Sequence, residues 1–134
     1  MQRNILLANS DYATLGLLAE IVRQLDDKWE VSRATSGWQV LCLLQLCPEQ
    51  SYPSMLLLDE TLRDMTAAQL LIYLARHSRY DSIPRYVLTT TAEHDKGRSF
   101  LPQNIIYLKR PAKPSEYKVL LARILGQVPS GRMR

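Results

Sequence analysis

Short apolar runs alternate with segments of helical periodicity from one end of this chain to the other. Four runs are bounded by polar or turn-forming residues and lie at residues 5–8, 54–59, 84–89 and 105–108. Continuous apolar runs are typical of strands that are buried on both faces. Residues 29–34 instead alternate in polarity, which predicts a second strand at the edge of the sheet. Because parallel strands need a crossover between them, usually a helix, the order predicts an α/β fold: a doubly wound five-stranded parallel sheet with helices on both faces.

The helix boundaries carry recognisable signals. Asp11 precedes the first periodic segment and Thr66 precedes the third, so both are predicted N-caps. Gly126 is suited to end the last helix, which spans residues 115–125. The segment Ala92–Gln103 offers a helix almost no apolar face. It is predicted to be either a partner-recognition surface or a loose loop.

Length and composition indicate one globular domain. The 134 residues are 46% hydrophobic and 22% charged, and they divide into a domain at 1–126 and a flexible tail or linker at 127–134. No apolar run approaches the roughly 20 residues of a membrane span, and the start lacks signal-peptide architecture. We therefore expect a cytoplasmic protein with no membrane partner. The net charge of +4 is spread along the chain, which argues against nucleic-acid binding.

The cysteines and tryptophans are expected to be structural. Cys42 and Cys47 fit no zinc or redox spacing, so we predict two buried, reduced thiols. Trp29 and Trp38 flank the second strand and are predicted to pack against the protein.

The candidate functional residues follow the predicted strands. In open parallel sheets, binding sites lie outside the carboxyl ends of the strands. The polar segments at those positions are Asn9-Ser10-Asp11, Asp59-Glu60, Thr89-Thr90 and Lys109-Arg110-Pro111.

The strand-end residues resemble those of the receiver domain of two-component response regulators, over residues 3–125. Asp59 ends the most apolar run, Thr89 ends the fourth strand, and Arg110-Pro111 stands where the family has Lys-Pro. The resemblance implies a flavodoxin-like strand order 2-1-3-4-5. It also implies that Asp59 is the phosphoacceptor, that Thr89 and Arg110 assist it, and that Thr89 and Tyr107 form the switch pair.

Several departures from the family pattern concern the phosphorylation chemistry. Asn9 and Ser10 replace an acidic pair, Arg110 replaces a lysine, and Arg63 and Ala67 replace a proline and a glycine. Magnesium is usually held by carboxylates, and an arginine fork is not equivalent to a lysine point charge. The expectation is a non-enzymatic pseudo-receiver without a cofactor. The only metal site left is a degenerate Mg²⁺ pocket formed by Asp59, Ser10 and Asp11.

Two interpretations of Asp59 stay open at this level. It is either a working phosphoacceptor, modified by a histidine kinase or phosphotransfer protein, or a remnant carboxylate paired with Arg110 or Lys109. Asn9 and Ser10 likewise either bind metal or close the strand-to-helix turn by hydrogen bonds. The expected partners are a histidine kinase, a phosphotransfer protein or an output domain, with a homodimer also possible. A flavodoxin-like enzyme is disfavoured because no Gly-rich loop follows the first strand.

Overall fold

The computed structural model describes residues 3–90 and 105–127. Their strands and helices follow in the order β1 Asn4–Ala8, α1 Tyr12–Leu25, β2 Glu30–Ala34, α2 Gly37–Leu46, β3 Met55–Asp59, α3 Ala67–Ala75, β4 Arg85–Thr89, β5 Ile105–Lys109 and α4 Pro114–Gly126. All strand pairs are parallel, and the sheet order is β2-β1-β3-β4-β5. The predicted fold class and strand order are confirmed. The weak segment 92–103 and the tail from residue 128 lie outside the described residues.

Strand β3 divides the hydrophobic core into two layers. Every side chain of this strand is buried, because β1 and β4 flank it in the sheet and helices cover both faces of the sheet. Met55 and Leu57 point to the layer beneath α1 and α4, and Leu56 and Leu58 point to the layer beneath α2 and α3. The alternation follows from the two-residue period of a strand. A continuous apolar run is therefore required here.

The predicted helix caps are present. The Asp11 carboxylate accepts a hydrogen bond from the backbone N–H of Ala13, and Thr66 forms a capping box with Gln69. The last helix begins with Pro114 at its first turn, and it extends through Gly126 rather than ending before it. The cap residue Gln127 accepts a hydrogen bond from the Tyr86 hydroxyl at 2.8 Å.

Three predictions about helix α2 and its C-cap residue are wrong. Cys42 and Cys47 are partly exposed rather than buried, and Trp38 is 63% exposed, whereas Trp29 is buried as predicted. The reason is that the sequence of α2 is apolar on nearly every side. Periodicity alone therefore could not tell its inner face from its outer face.

Within residues 3–90 and 105–127, no helix is both long and apolar enough to cross a bilayer.

Truncating Leu57 tests the central position of β3. This side chain is 1% exposed, so Leu57→Ala should lower the free energy of unfolding by about 2–5 kcal/mol through lost burial and the cavity left behind. Val119→Ala, at a residue that is 71% exposed, should change it by less than about 0.5 kcal/mol. Urea denaturation followed by circular dichroism measures both. Equal effects of the two substitutions would contradict the described packing.

Candidate functional site

The parallel register brings the predicted residues to one edge of the sheet. Ala8 pairs with Leu58, and Asp59 pairs with Leu88, so the residues that end β1, β3 and β4 lie side by side. Thr89 pairs with Lys109, which places Arg110 directly beyond β5 at the same edge. The N–H of Arg110 donates to the carbonyl of Thr89 at 2.7 Å and fixes the chain there.

Asp59 and Arg110 form an ion pair at the centre of this edge. Arg110 Nη2 donates to Asp59 Oδ1 at 2.7 Å. The other carboxylate oxygen of Asp59 accepts a long hydrogen bond, 3.4 Å, from the N–H of Thr61. Asp59 is 6% exposed, whereas Lys109 is exposed to solvent. The pairing with Arg110 rather than Lys109 is therefore the one that forms.

Burial and charge act in opposite directions on the Asp59 carboxyl group. Burial raises its pKa, because the ionised form loses its hydration, and the Arg110 guanidinium and the N–H of Thr61 act to lower it. The first effect is larger, so the pKa of Asp59 lies above its ordinary value. The ion pair thus compensates only part of the cost of burying this charge.

Asn9, the first residue in place of the acidic pair, closes the turn between β1 and α1. Asn9 Oδ1 accepts from the N–H of Asp11 at 2.9 Å, which is the turn-closing bond considered for this residue. The Asp11 carboxylate accepts from the Thr14 hydroxyl at 2.7 Å and from the N–H of Ala13. The Thr14 bond is the main cause that lowers the pKa of Asp11. Asp11 therefore serves as the cap of α1.

A second arginine reaches the same turn. Arg63 Nε donates to the carbonyl oxygen of Ser10 at 3.2 Å, and the backbone N–H of Arg63 donates to the carbonyl of Thr35. A cationic guanidinium is therefore hydrogen-bonded to the backbone oxygen of Ser10, one of the residues that the resemblance implies as metal ligands.

These residues do not fit a magnesium ion. Within residues 3–90 and 105–127, no group of three or more His, Cys, Asp or Glu side chains is arranged to hold a metal. Of the three implied ligands, Asp59 is paired with Arg110 and Asp11 caps α1, and Ser10 offers only a neutral hydroxyl oxygen while its carbonyl oxygen accepts from Arg63. Magnesium prefers several free oxygen ligands, preferably anionic, in near-octahedral geometry.

Glu60 connects β3 with the end of β4. Its Oε1 atom accepts from the backbone N–H of Thr90 at 2.7 Å and from the Thr90 hydroxyl at 3.1 Å. Burial acts to raise the pKa of Glu60, but hydrogen bonds from Thr90 and Thr89 outweigh it, and the pKa is lowered. The hydroxyl of Thr89, the predicted switch residue, is thus bonded to this carboxylate.

Thr89 and Tyr107 line one cleft. Its volume is about 270 Å³, and its wall also includes Glu60 and the first turn of α3 at Thr66 and Ala67. Tyr107 is partly buried and packs against the core layer beneath α2 and α3. The two residues of the predicted switch pair are therefore brought to a common space, on the side of Glu60.

Sequence reasoning missed two contacts of this edge. One is the bond between Arg63 and Ser10, and the other is Asp64, whose carboxylate accepts from the N–H groups of Gly37 at 2.7 Å and Trp38 at 3.0 Å. Each joins residues that are far apart in the chain. No local spacing signals such pairs, since both depend on the loop after β3 lying beside the starts of α1 and α2.

Replacing Asp59 by asparagine tests whether burial dominates the energetics of this carboxyl group. Because the pKa of Asp59 is raised, the folded state binds its proton more tightly than the unfolded chain. The wild type should therefore gain stability relative to Asp59→Asn as the pH falls through the raised pKa, with the gain complete below the ordinary value of 3.8. Urea denaturation at several pH values measures it. A relative loss of stability on acidification would instead mean that the ion pair dominates.

Comparison with known proteins rests on structure. No protein-family model and no curated protein matches the chain by sequence. The phosphorylated cyanobacterial phytochrome response regulator RcpA superposes with a TM-score of 0.80 at 21% identity, over 96% of this chain and 94% of that chain. The Mn²⁺-bound response regulator Rcp1 gives 0.78 at 22% identity, over 98% and 99%.

A chemotaxis protein has the same architecture. The response regulator CheY4 of Vibrio cholerae superposes with a TM-score of 0.74 at 19% identity, over 92% of this chain and 99% of that chain. All three similarities extend over nearly the whole domain. The chain therefore has the fold of response regulator receiver domains.

Proposed function

We propose that this chain is an atypical receiver domain, a non-enzymatic module that transmits a signal by binding other proteins and does so without Mg²⁺-dependent phosphorylation of Asp59. The observation that carries the proposal is the 2.7 Å pair between Arg110 and Asp59 Oδ1. It joins the implied nucleophile to the one side chain that stands where the family has its lysine.

The chemistry of phosphoryl transfer supports this interpretation. A carboxylate attacks a phosphoryl group readily only when cations offset the charge on the transferring oxygens. Here the guanidinium of Arg110 is directed at the carboxylate itself, and the nucleophilic oxygen is partly occupied by its hydrogen bond. The pair lowers the reactivity of Asp59 and gives no matching stabilisation to an incoming phosphate.

The second arginine strengthens the argument. Arg63 donates to the carbonyl of Ser10, so a positive charge lies close to the place where a divalent cation would need free oxygen ligands. Two guanidinium groups and one buried carboxylate form a charge arrangement that persists without metal or phosphate. Such a domain would hold one conformation, and its signal would depend on whether its partner is present.

The partners proposed are proteins of a signalling pathway. A histidine kinase, a phosphotransfer protein or an output domain would fit the receiver fold, and the similarity to RcpA, Rcp1 and CheY4 supports a role in signal transduction. The net charge of +4 is small and dispersed, which favours a protein partner over nucleic acid.

One observation favours the alternative, a working receiver phosphorylated at Asp59. The second carboxylate oxygen of Asp59 accepts only the 3.4 Å bond from Thr61, so it keeps a lone pair for attack if Arg110 swings away. The Arg110 side chain is 33% exposed, so solvent reaches part of the guanidinium that would have to move.

Intact mass spectrometry distinguishes the two functions. The protein is incubated with acetyl phosphate or phosphoramidate, with and without Mg²⁺, beside an Asp59→Asn control and the response regulator RcpA, whose structure is of the phosphorylated protein, as a positive control for the reagents. Because Arg110 and Arg63 already engage Asp59 and Ser10, we expect no phosphoryl adduct in the wild type under conditions that modify RcpA. A Mg²⁺-dependent adduct that Asp59→Asn lacks would overturn the proposal and establish the working receiver.

A further inference from the structure

A cleft opens beside the end of β5 and the helix α4, and we call it the β5–α4 cleft. Residues 109–112 line it together with Glu116, Val119, Leu120 and Arg123 of α4. Its volume is about 500 Å³, within the range of about 300–1,000 Å³ that is typical of small-molecule sites. The cleft is therefore large enough for a small organic ligand.

The lining of the cleft combines apolar surface with positive charge. Four of the eight lining residues are apolar, three are cationic and one, Glu116, is acidic. The Glu116 carboxylate accepts from the N–H groups of Ala112 at 3.1 Å and Lys113 at 3.3 Å, so these bonds hold its charge at the start of α4. Within residues 3–90 and 105–127, Lys109 and Arg123 form no ion pair. Charge complementarity therefore favours an anion, and the apolar lining favours one with an apolar body.

Arg110 belongs both to this cleft and to the site at Asp59. Its Nη2 atom donates to Asp59, while its Nε–H is buried and has no hydrogen-bond partner in the described part of the chain. A buried donor without an acceptor is unfavourable. A rotation of the Arg110 side chain toward the cleft would therefore give up one bond to Asp59 but let the Nε–H reach a ligand oxygen or water.

We propose that the β5–α4 cleft binds a small organic carboxylate with an apolar body, and that this ligand competes with Asp59 for Arg110. The planar guanidinium of Arg110 matches the geometry of a carboxylate, and Arg123 supplies a second positive charge. Val119, which is 71% exposed, offers uncovered apolar surface to the body of the ligand. The inference goes beyond the proposed signalling role, because it adds a ligand that acts on the ion pair at the centre of the site.

Fluorine NMR tests the class of ligand, with 4-(trifluoromethyl)benzoate as the probe at low ionic strength. A molecule of this size should bind saturably with a Kd of about 1 mM. The neutral 4-(trifluoromethyl)benzamide has nearly the same shape and should bind about tenfold more weakly or less, because it lacks the charge. The benzoate should also shift the amide signals of Ala112, Val119 and Arg123. Equal binding of the two compounds, no saturable binding, or shifts confined to other parts of the chain would overturn the proposal.

The variant Asp59→Asn tests the competition for Arg110. Asparagine leaves Arg110 without its anionic partner, so the benzoate should bind about threefold more tightly than to the wild type, or tighter still. Tightening of this kind is not expected if the anion merely senses the overall charge of the cleft from a site that Arg110 does not reach. An affinity that Asp59→Asn leaves unchanged or lowers would overturn the proposal.

The variant Arg123→Gln tests the position of the ligand. Arg123 is exposed, so its loss should weaken benzoate binding about threefold without affecting the core. Arg23→Gln is the matched control, because Arg23 is an exposed arginine of α1 that lies outside the cleft and pairs with Glu20 at 3.9 Å. It should leave the affinity unchanged, and an equal loss in both variants would contradict binding in the cleft. Thermal unfolding checks that each variant is folded. No phosphoryl donor or Mg²⁺ is present, so the result is independent of the phosphorylation experiment.

Discussion

The pairing of Arg110 with the buried carboxylate of Asp59 governs the edge of the sheet where this fold has its functional site. Asp59 is placed there because β3 is apolar along its whole length and ends at that residue. Burial raises its pKa, and Arg110 is the cation that makes the ionised form tolerable. Arg110 in turn is positioned by the backbone bond to Thr89. The pair thus depends on the register of the strands as well as on the presence of an arginine at position 110.

The acidic groups around this pair serve the architecture. Asp11 caps α1, Asp64 accepts the first N–H groups of α2, and Glu60 bonds Thr90 and Thr89 at the end of β4. Each carboxylate satisfies N–H or hydroxyl groups at strand or helix ends that would otherwise lack partners. The site therefore contains several acidic residues, but their oxygens accept hydrogen bonds that hold the loops in place. This supports the proposal that the receiver fold persists while its metal-binding chemistry is reduced.

The sequence predicted what depends on local pattern. The strands and the caps at Asp11 and Thr66 follow from apolar runs and polar boundaries, and the strand-end rule brought Asp59 and Arg110 together. The order of the strands in the sheet came from the resemblance to receiver domains, because local pattern does not say which strands pair. The exposure of Trp38 to solvent was not predictable in this way, because α2 contains no charged residue that would mark its outer face. The bond between Arg63 and Ser10 was missed because it joins residues distant in sequence across a loop. Long-range polar contacts of this kind depend on the tertiary fold.

Titration with Mn²⁺ under NMR observation tests the central claim most directly, because this paramagnetic ion broadens the amide signals of nearby residues. If the two arginines and the turn-closing bonds occupy the pocket, the signals of Ser10, Asp59 and Thr61 should broaden no more than those of exposed residues elsewhere, and Mg²⁺ should not compete. Saturable broadening confined to these residues and reversed by Mg²⁺ would contradict the account. It would mean that Arg110 and Arg63 yield to a divalent cation and that the pocket retains the metal chemistry of a phosphorylated receiver.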